Sequence, residues 1–269
     1  MNTVRQPAVA GMFYPAAASE LARDVEALLA RAESAARGEP VPKAIIAPHA
    51  GYIYSGAIAA TAYARLAPAR GIATRVVLLG PVHRVPVRGL ALPGTTALAT
   101  PLGNIPVDAD AVETLSTLPQ VSVNPAAHAL EHSLEVHLPF LQMVLGKFSV
   151  VPLAVGEATA DDIAQVLDAL WGGPETLIVV SSDLSHYLGY GEAQATDRAT
   201  AQAIVDLRTD ISHEQACGGT PVNGLTLAAR RRGLTPQLLD LRNSGDTAGD
   251  RRRVVGYGAF AFYETPHVH

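Results

Sequence analysis

The chain is 269 residues long and has a single cysteine, Cys217. No intrachain disulfide can form, which excludes the small stapled folds of secreted proteins and fits a reducing compartment. No apolar run approaches the roughly 20 residues of a membrane span. The opening MNTVRQPAVAGMFYP lacks the uninterrupted apolar stretch of a signal peptide. A cytoplasmic protein without membrane association is expected. Charged residues are scarce at 17%, against 48% hydrophobic, so long solvated tails are excluded and a large core is within reach. The formal charge of −5 argues against a nucleic-acid surface. The only basic runs are 230–232 and 251–253. The first, just before Gly233, reads as the cationic last turn of a helix, and both read as solvated surface. Also missing are the dinucleotide fingerprint G-x-G-x-x-G, a Walker A loop and the G-x-S-x-G elbow of α/β-hydrolases.

What the chain does have is three apolar runs that each end in a polar cluster. They are KAIIAPHAGYIYSG at 43–56, RVVLLGPVHR at 75–84 and TLIVVSSDLSHY at 176–187. Each is β-branched and aliphatic, too short for a helix, and closed by Pro, Gly or Ser. Continuous rather than alternating hydrophobicity predicts strands covered on both faces, as in a parallel sheet. Ligands of such sheets bind beyond the carboxyl ends of the strands. His49, His83, Asp183 and His186 are expected there, on one rim.

Between these runs the spacing predicts helices near 19–33 (with Ser19 as N-cap), 56–66, 111–118, 134–146, 161–170, 195–207, 212–216 and 224–232. Further strands are expected near 148–155, 237–241 and 253–263, with loop or short strands over 86–106. Strands alternating with helices give an α/β class with a largely parallel or mixed central sheet flanked by helices. With no repeat or linker in sight, residues 1–269 are expected to form one domain.

Imidazole is the commonest ligand of Lewis-acidic and redox-capable metals, so His49 and His83 on adjacent strand ends form a natural half-site. Asp183 and His186, three apart, would share a first helical turn, Asp183 also serving as an N-cap and His186 as an acid/base. Cys217, in A-C-G-G-T-P, reads as a tight-turn cysteine that is either inert, a metal ligand or a nucleophile. The densest cluster is HALEHSLEVHLPF at 128–140. Its His128, Glu131 and His132 match the H-x-x-E-H string of a zinc-peptidase class, which needs a continuous helix through all three. The preferred reading is a charged helix start beside the pocket, with Glu131 and Glu135 complementing its dipole and His132 and Glu131 as substrate-binding candidates.

Taken together these blocks resemble the Memo family, related in fold to the class III (LigB-type) extradiol dioxygenases. The resemblance is carried by VAGMFYP at 9–15, IIAPHAGYIYSG at 45–56, GPVHR at 80–84, TPLG at 100–103, EHSLEVHLPF at 131–140, VVSSDLSHY at 179–187 and CGGTP at 217–221. It implies a LigB-type fold and a mononuclear Fe(II) centre, with copper as the alternative. His49 and His83 look like the two histidine ligands, His186 matches the acid/base, and Asp183 lies beside the site. Tyr54 and Phe13 look like pocket walls for a small-molecule or peptide ligand. Cys217 falls where the dioxygenases have their carboxylate. A thiolate there softens the site towards Cu(I), zinc or a differently tuned iron and adds an oxidisable ligand. The resemblance further implies AMMECR-type and radical-SAM partner proteins, and, from animal members that look like signalling adaptors, the alternative of a scaffold without turnover.

Overall fold

The three apolar runs and the strand expected near 148–155 lie side by side at the centre of the structure, a computed structural model that describes residues 3–32 and 40–264. The first strands and helices are β1 (Val4–Arg5), α1 (Ala18–Ala32), β2 (Ala44–Ala47), α2 (Tyr52–Ala64) and β3 (Arg75–Pro81). Short strands β4 (Leu90–Leu92), β5 (Ala97–Thr100) and β6 (Gly103–Pro106) follow, then α3 (Ala109–Leu115), β7 (Val121–Val123), α4 (Pro125–Ala129) and α5 (Leu138–Leu145). The second half runs β8 (Ser149–Val155), α6 (Ala160–Ala169), β9 (Thr176–Ser181), β10 (His186–Leu188), α7 (Tyr190–Val205), α8 (Gly219–Arg232), β11 (Thr235–Asn243) and β12 (Val254–Tyr263).

Strands β2, β9, β3 and β8 are adjacent and parallel. Every residue of β2 and β9 is buried, and alternation sorts the side chains onto two faces. Ile45, Leu78, Val150 and Val179 pack with Leu21 and Val25 of α1, Ile58 of α2 and Leu141 of α5. Ile46, Leu79, Val151 and Val180 pack on the other face with Ile163 of α6, Ile204 of α7 and Leu225 of α8. Helices on both faces make the run hydrophobic throughout, as the sequence pattern requires.

The parallel core is extended antiparallel at both edges into a nine-stranded sheet. β12 lies antiparallel to β2 and carries β11 and β10, while β4 pairs antiparallel with β8 and parallel with β7. A separate three-stranded sheet joins β1, β5 and β6. The α/β class with a mixed central sheet is therefore as expected. Among the described residues no helix is long and apolar enough to cross a membrane.

Several boundaries differ from expectation. The helix expected over 19–33 begins at Ala18, so Ser19 is inside its first turn, and residue 33 lies outside the described residues. Helix α2 starts four residues before Gly56 because its apolar character runs all round: Ile58, Ala59, Ala60, Ala62 and Tyr63 are buried on several sides and leave no amphipathic edge to read. Residues 212–216 form turns rather than a helix. Asp183 and His186 do not share a helical turn, since His186 opens strand β10.

Asp108 ties three of these elements together. It caps α3 by accepting from Ala111 N at 2.9 Å, pairs with Arg75 at 2.8 Å and accepts from Ser149 Oγ at 2.8 Å. Burial pushes its carboxyl up, but these donors outweigh that and hold it below the usual carboxylate range. Its stabilising effect is thus present above the unfolded value and lost as pH falls through the lowered one. Asp108→Ala is expected to destabilise by about 1–2 kcal/mol near neutrality. Denaturation curves of the two proteins should converge as the pH falls from the unfolded carboxyl's value of about 4 down through the lowered native one.

Candidate metal centre

The strand ends deliver their polar residues to one rim. Past β2 lies His49, past β3 His83 and past β9 Asp183, all at the carboxyl edge of the parallel core. His132 comes from the connection after α4. One ring nitrogen from each of His49, His83 and His132 lies within 4.8 Å of the others, a cluster able to hold a metal ion. His49 is buried, His132 half-buried and His83 exposed. The His83 and His132 rings stack with centroids 4.6 Å apart and planes 26° from parallel.

The hydrogen bonds decide which nitrogens face the centre. Ser181 Oγ donates its one hydrogen to Ser133 O at 2.6 Å, so it must accept from His49 Nδ1 at 2.6 Å. His49 therefore carries its proton on Nδ1 and leaves Nε2 bare. His83 Nδ1 likewise donates to Glu131 Oε1 at 2.9 Å and leaves its own Nε2 free. A carboxylate behind a histidine is the arrangement that fixes tautomer and ring angle in metal sites. Burial first, then the neighbouring imidazoles, keep His49 well below the ordinary histidine value. Burial and His83 likewise bring His132 down to about 4. His49 and His132 are thus held in the neutral form that binds metal. The donor set fits a transition metal.

Glu131 does more than was expected of it. It is 2% exposed and accepts from His83 N at 2.6 Å, and from His132 N and Ser133 N at 2.9 Å each. Burial raises its carboxyl, but the His83 bond and charge and the backbone donors bring it down to about 2. With its oxygens turned to protein donors, it is a clamp on two histidine segments rather than a substrate-binding group at a helix start. Gly80 makes this approach possible, since a Cβ there would stand 2.9 Å from Ser133 Oγ and Leu134 Cδ2.

Glu135 performs a similar service for the N-terminal segment, accepting from Ala8 N at 2.7 Å, Val9 N at 3.0 Å and Tyr14 OH at 2.5 Å, and pairing with Arg5. That segment brings the Phe13 ring to 5.0 Å from His132. His128 is turned away: its Nε2 meets Ala91 O at 2.7 Å, and α4 ends at Ala129 before Glu131 and His132. The continuous helix a zinc peptidase of this motif needs is absent, because Asn124 caps and Pro125 opens a helix of only five residues.

Cys217 sits in a turn before α8, its Sγ 3.3 Å from His49 Nε2. Burial and then the Asp183 charge push the thiol up to about 12. Gly218 is needed beside it, as a Cβ would meet Ser181 O at 2.5 Å. The Asp183 carboxylate, raised to about 6 by burial against the pull of the His49 amide, accepts from His49 N at 2.8 Å. His186 takes its orientation from Leu184 O, 2.8 Å from Nδ1, and not from Asp183.

Two cavities flank the imidazoles. One of about 650 Å³ is lined by His83, Cys217, His213, Arg88 and Glu157. The other, about 510 Å³, is lined by Phe13, Tyr54, His132, Asp183 and His186.

A profile described as Memo-like protein matches residues 5–261. The chain belongs to the Memo family. It is 36% identical to a MEMO1 family protein of Aquifex aeolicus over 96% of this chain and 99% of the relative. A MEMO1 family protein of Methanothermobacter thermautotrophicus is 35% identical over 94% and 98%. The fold also resembles an uncharacterized protein of Escherichia coli K12 at a TM-score of 0.53 and 13% identity, covering 81% of this chain and 98% of that one.

In this Memo-family site, Glu131→Gln turns an amide NH₂ towards backbone donors. It is expected to cost about 3 kcal/mol of stability and to lower metal affinity roughly 10–100-fold. Urea denaturation and competitive metal titration measure the two effects, and unchanged affinity in a folded variant would remove Glu131 from the site.

Proposed function

We propose that this Memo-family chain holds one redox-active transition metal, iron in the first place and copper as the alternative, on His49, His83 and Cys217. The observation that carries this is the pairing of two bare imidazole nitrogens at the sheet rim with a thiol 3.3 Å from one of them. Donors sharing an ion through bonds of about 2.0–2.3 Å stand roughly 3–3.7 Å apart, so His49 Nε2 and Cys217 Sγ are already at ligand spacing. The stacked His132 ring lies side by side with His83 and serves as a wall of the centre.

Bound there, the metal would supply Lewis-acid and one-electron chemistry of the dioxygenase-like kind to a small molecule or peptide. The protein's own part is positioning and proton handling. His186, with Nδ1 committed to Leu184 O, presents Nε2 as the group that takes or gives a proton. Asp183 fixes the His49 backbone, and Phe13 and Tyr54 wall the second cavity.

The test is metal content after anaerobic loading with Fe(II) or Cu(I). Wild type should retain about one equivalent, and His49→Ala with His83→Ala almost none. Cys217→Ser should weaken retention and abolish thiolate-to-metal absorption, while His132→Ala keeps both. Equal metal in wild type and the double variant rejects the centre. Loss in His132→Ala but not in Cys217→Ser moves the third donor to His132.

A second reading is a binding protein without turnover. Met12, Ile53 and Tyr187, 72%, 71% and 62% exposed, stand around the second cavity as apolar surface. Under either reading we propose AMMECR-type and radical-SAM proteins as partners. Size-exclusion of mixtures should give a co-eluting complex with at least one of them, weakened by Ile53→Asp. Separate elution at micromolar concentrations speaks against the partnership.

A further inference from the structure

We infer that Arg253 and Tyr187 form an anion-recognising mouth to the second cavity, and that its ligand is a planar carboxylate whose acid group stays at this outer end. The three consecutive arginines before β12 have different surroundings. Arg251 donates to Gly245 O at 3.4 Å and lies over the Tyr190 ring at 4.4 Å. Arg252 is bound to Asp250 through Nε at 2.8 Å. Arg253 has no carboxylate partner among the described residues. Its guanidinium lies 5.0 Å from the Tyr187 ring centroid and lines the cavity that holds His132, Asp183 and His186.

Tyr187 is presented there by the backbone. It is one of two non-glycine residues with positive φ, at 60°, among the described residues. The register between β10 and β12 shifts between His186 and Leu188, which makes Tyr187 the extra residue of a bulge. A bulge re-aims a side chain, and a left-handed tyrosine is kept only where its surroundings hold it. The outcome is a ring 62% exposed at the cavity mouth, under a guanidinium free to bind an anion.

Charge and shape vary along the pocket. Asp250 also lines the mouth, but Arg252 neutralises it. The inner end has imidazoles and the Asp183 carboxylate, which disfavour a second anion. Phe13, Tyr54 and Tyr257 supply flat apolar walls. A volume of about 510 Å³ suits a small organic ligand. Guanidinium recognises carboxylate by paired, charge-assisted hydrogen bonds. Which end of the ligand points inward rests on the metal reading above; the preference for an anion does not.

The experiment titrates the full chain, metal-loaded and after chelation, with 4-hydroxyphenylacetate and its uncharged counterpart 4-hydroxyphenylacetamide, following binding by ligand-observed NMR. Wild type should favour the acid by about tenfold in both preparations. Arg253→Gln should bring the two within about twofold while leaving the amide unchanged, and Arg253→Lys should restore part of the preference. Arg251→Gln, in the same run but outside the cavity, should behave as wild type. The proposal is overturned if wild type shows no preference, if Arg253→Gln keeps it, or if Arg251→Gln loses it equally. A chain that retains no metal yet keeps the preference would sink the metal reading alone.

Discussion

A buried carboxylate surrounded by hydrogen-bond donors is the constraint on which the centre depends. Glu131 accepts from three backbone amides and one imidazole, and so fixes both the end of β3 and the segment leading to His132. In a low-dielectric surrounding an unpaired charge would be intolerable, so the carboxylate and its donors form together or not at all. Two segments 48 residues apart in sequence are thereby held in one register. Ser181 completes the same logic for His49 by passing the hydrogen-bond chain on to Ser133. Glu135, four residues on, anchors the N-terminal segment and with it the ring that covers His132.

The sheet explains why the site is where it is. Parallel strands must end on the same side, so a four-strand parallel core gives one rim with several polar termini. The antiparallel additions do a different job. β12 with β10 carries Tyr187, Arg253 and Val255 to the side of that rim and turns an open edge into the wall of a cavity.

The sequence was legible where one local rule operates. Doubly covered strands show as unbroken apolar runs, so all four core strands, and the histidines that follow β2 and β3, could be placed from residues alone. Small elements such as β1, β7 and α4 left no period to read, being two to five residues long. Asp183 and His186 looked helical by spacing, whereas backbone pairing with β12 made the segment a strand. The role of Glu131 was hidden for another reason. Its partners are backbone amides far along the chain, and amides carry no sequence signature. Charge at a helix start beside the pocket was the nearest local reading, whereas the group is buried and its oxygens are taken by protein donors. The arginine run beginning at 251 was hidden in the same way: composition describes three equal cations, while the fold gives each a different neighbour.

The imidazole cluster is a partition between two hollows, with His83 facing one and His132 the other. Traffic can therefore reach it from opposite directions. On the proposed function, a bulky molecule lodged on the Tyr54 side would leave the Cys217 side clear for a small co-reactant, and neither would have to depart before the other entered. Order of arrival would then be set by affinity and concentration instead of by a shared corridor.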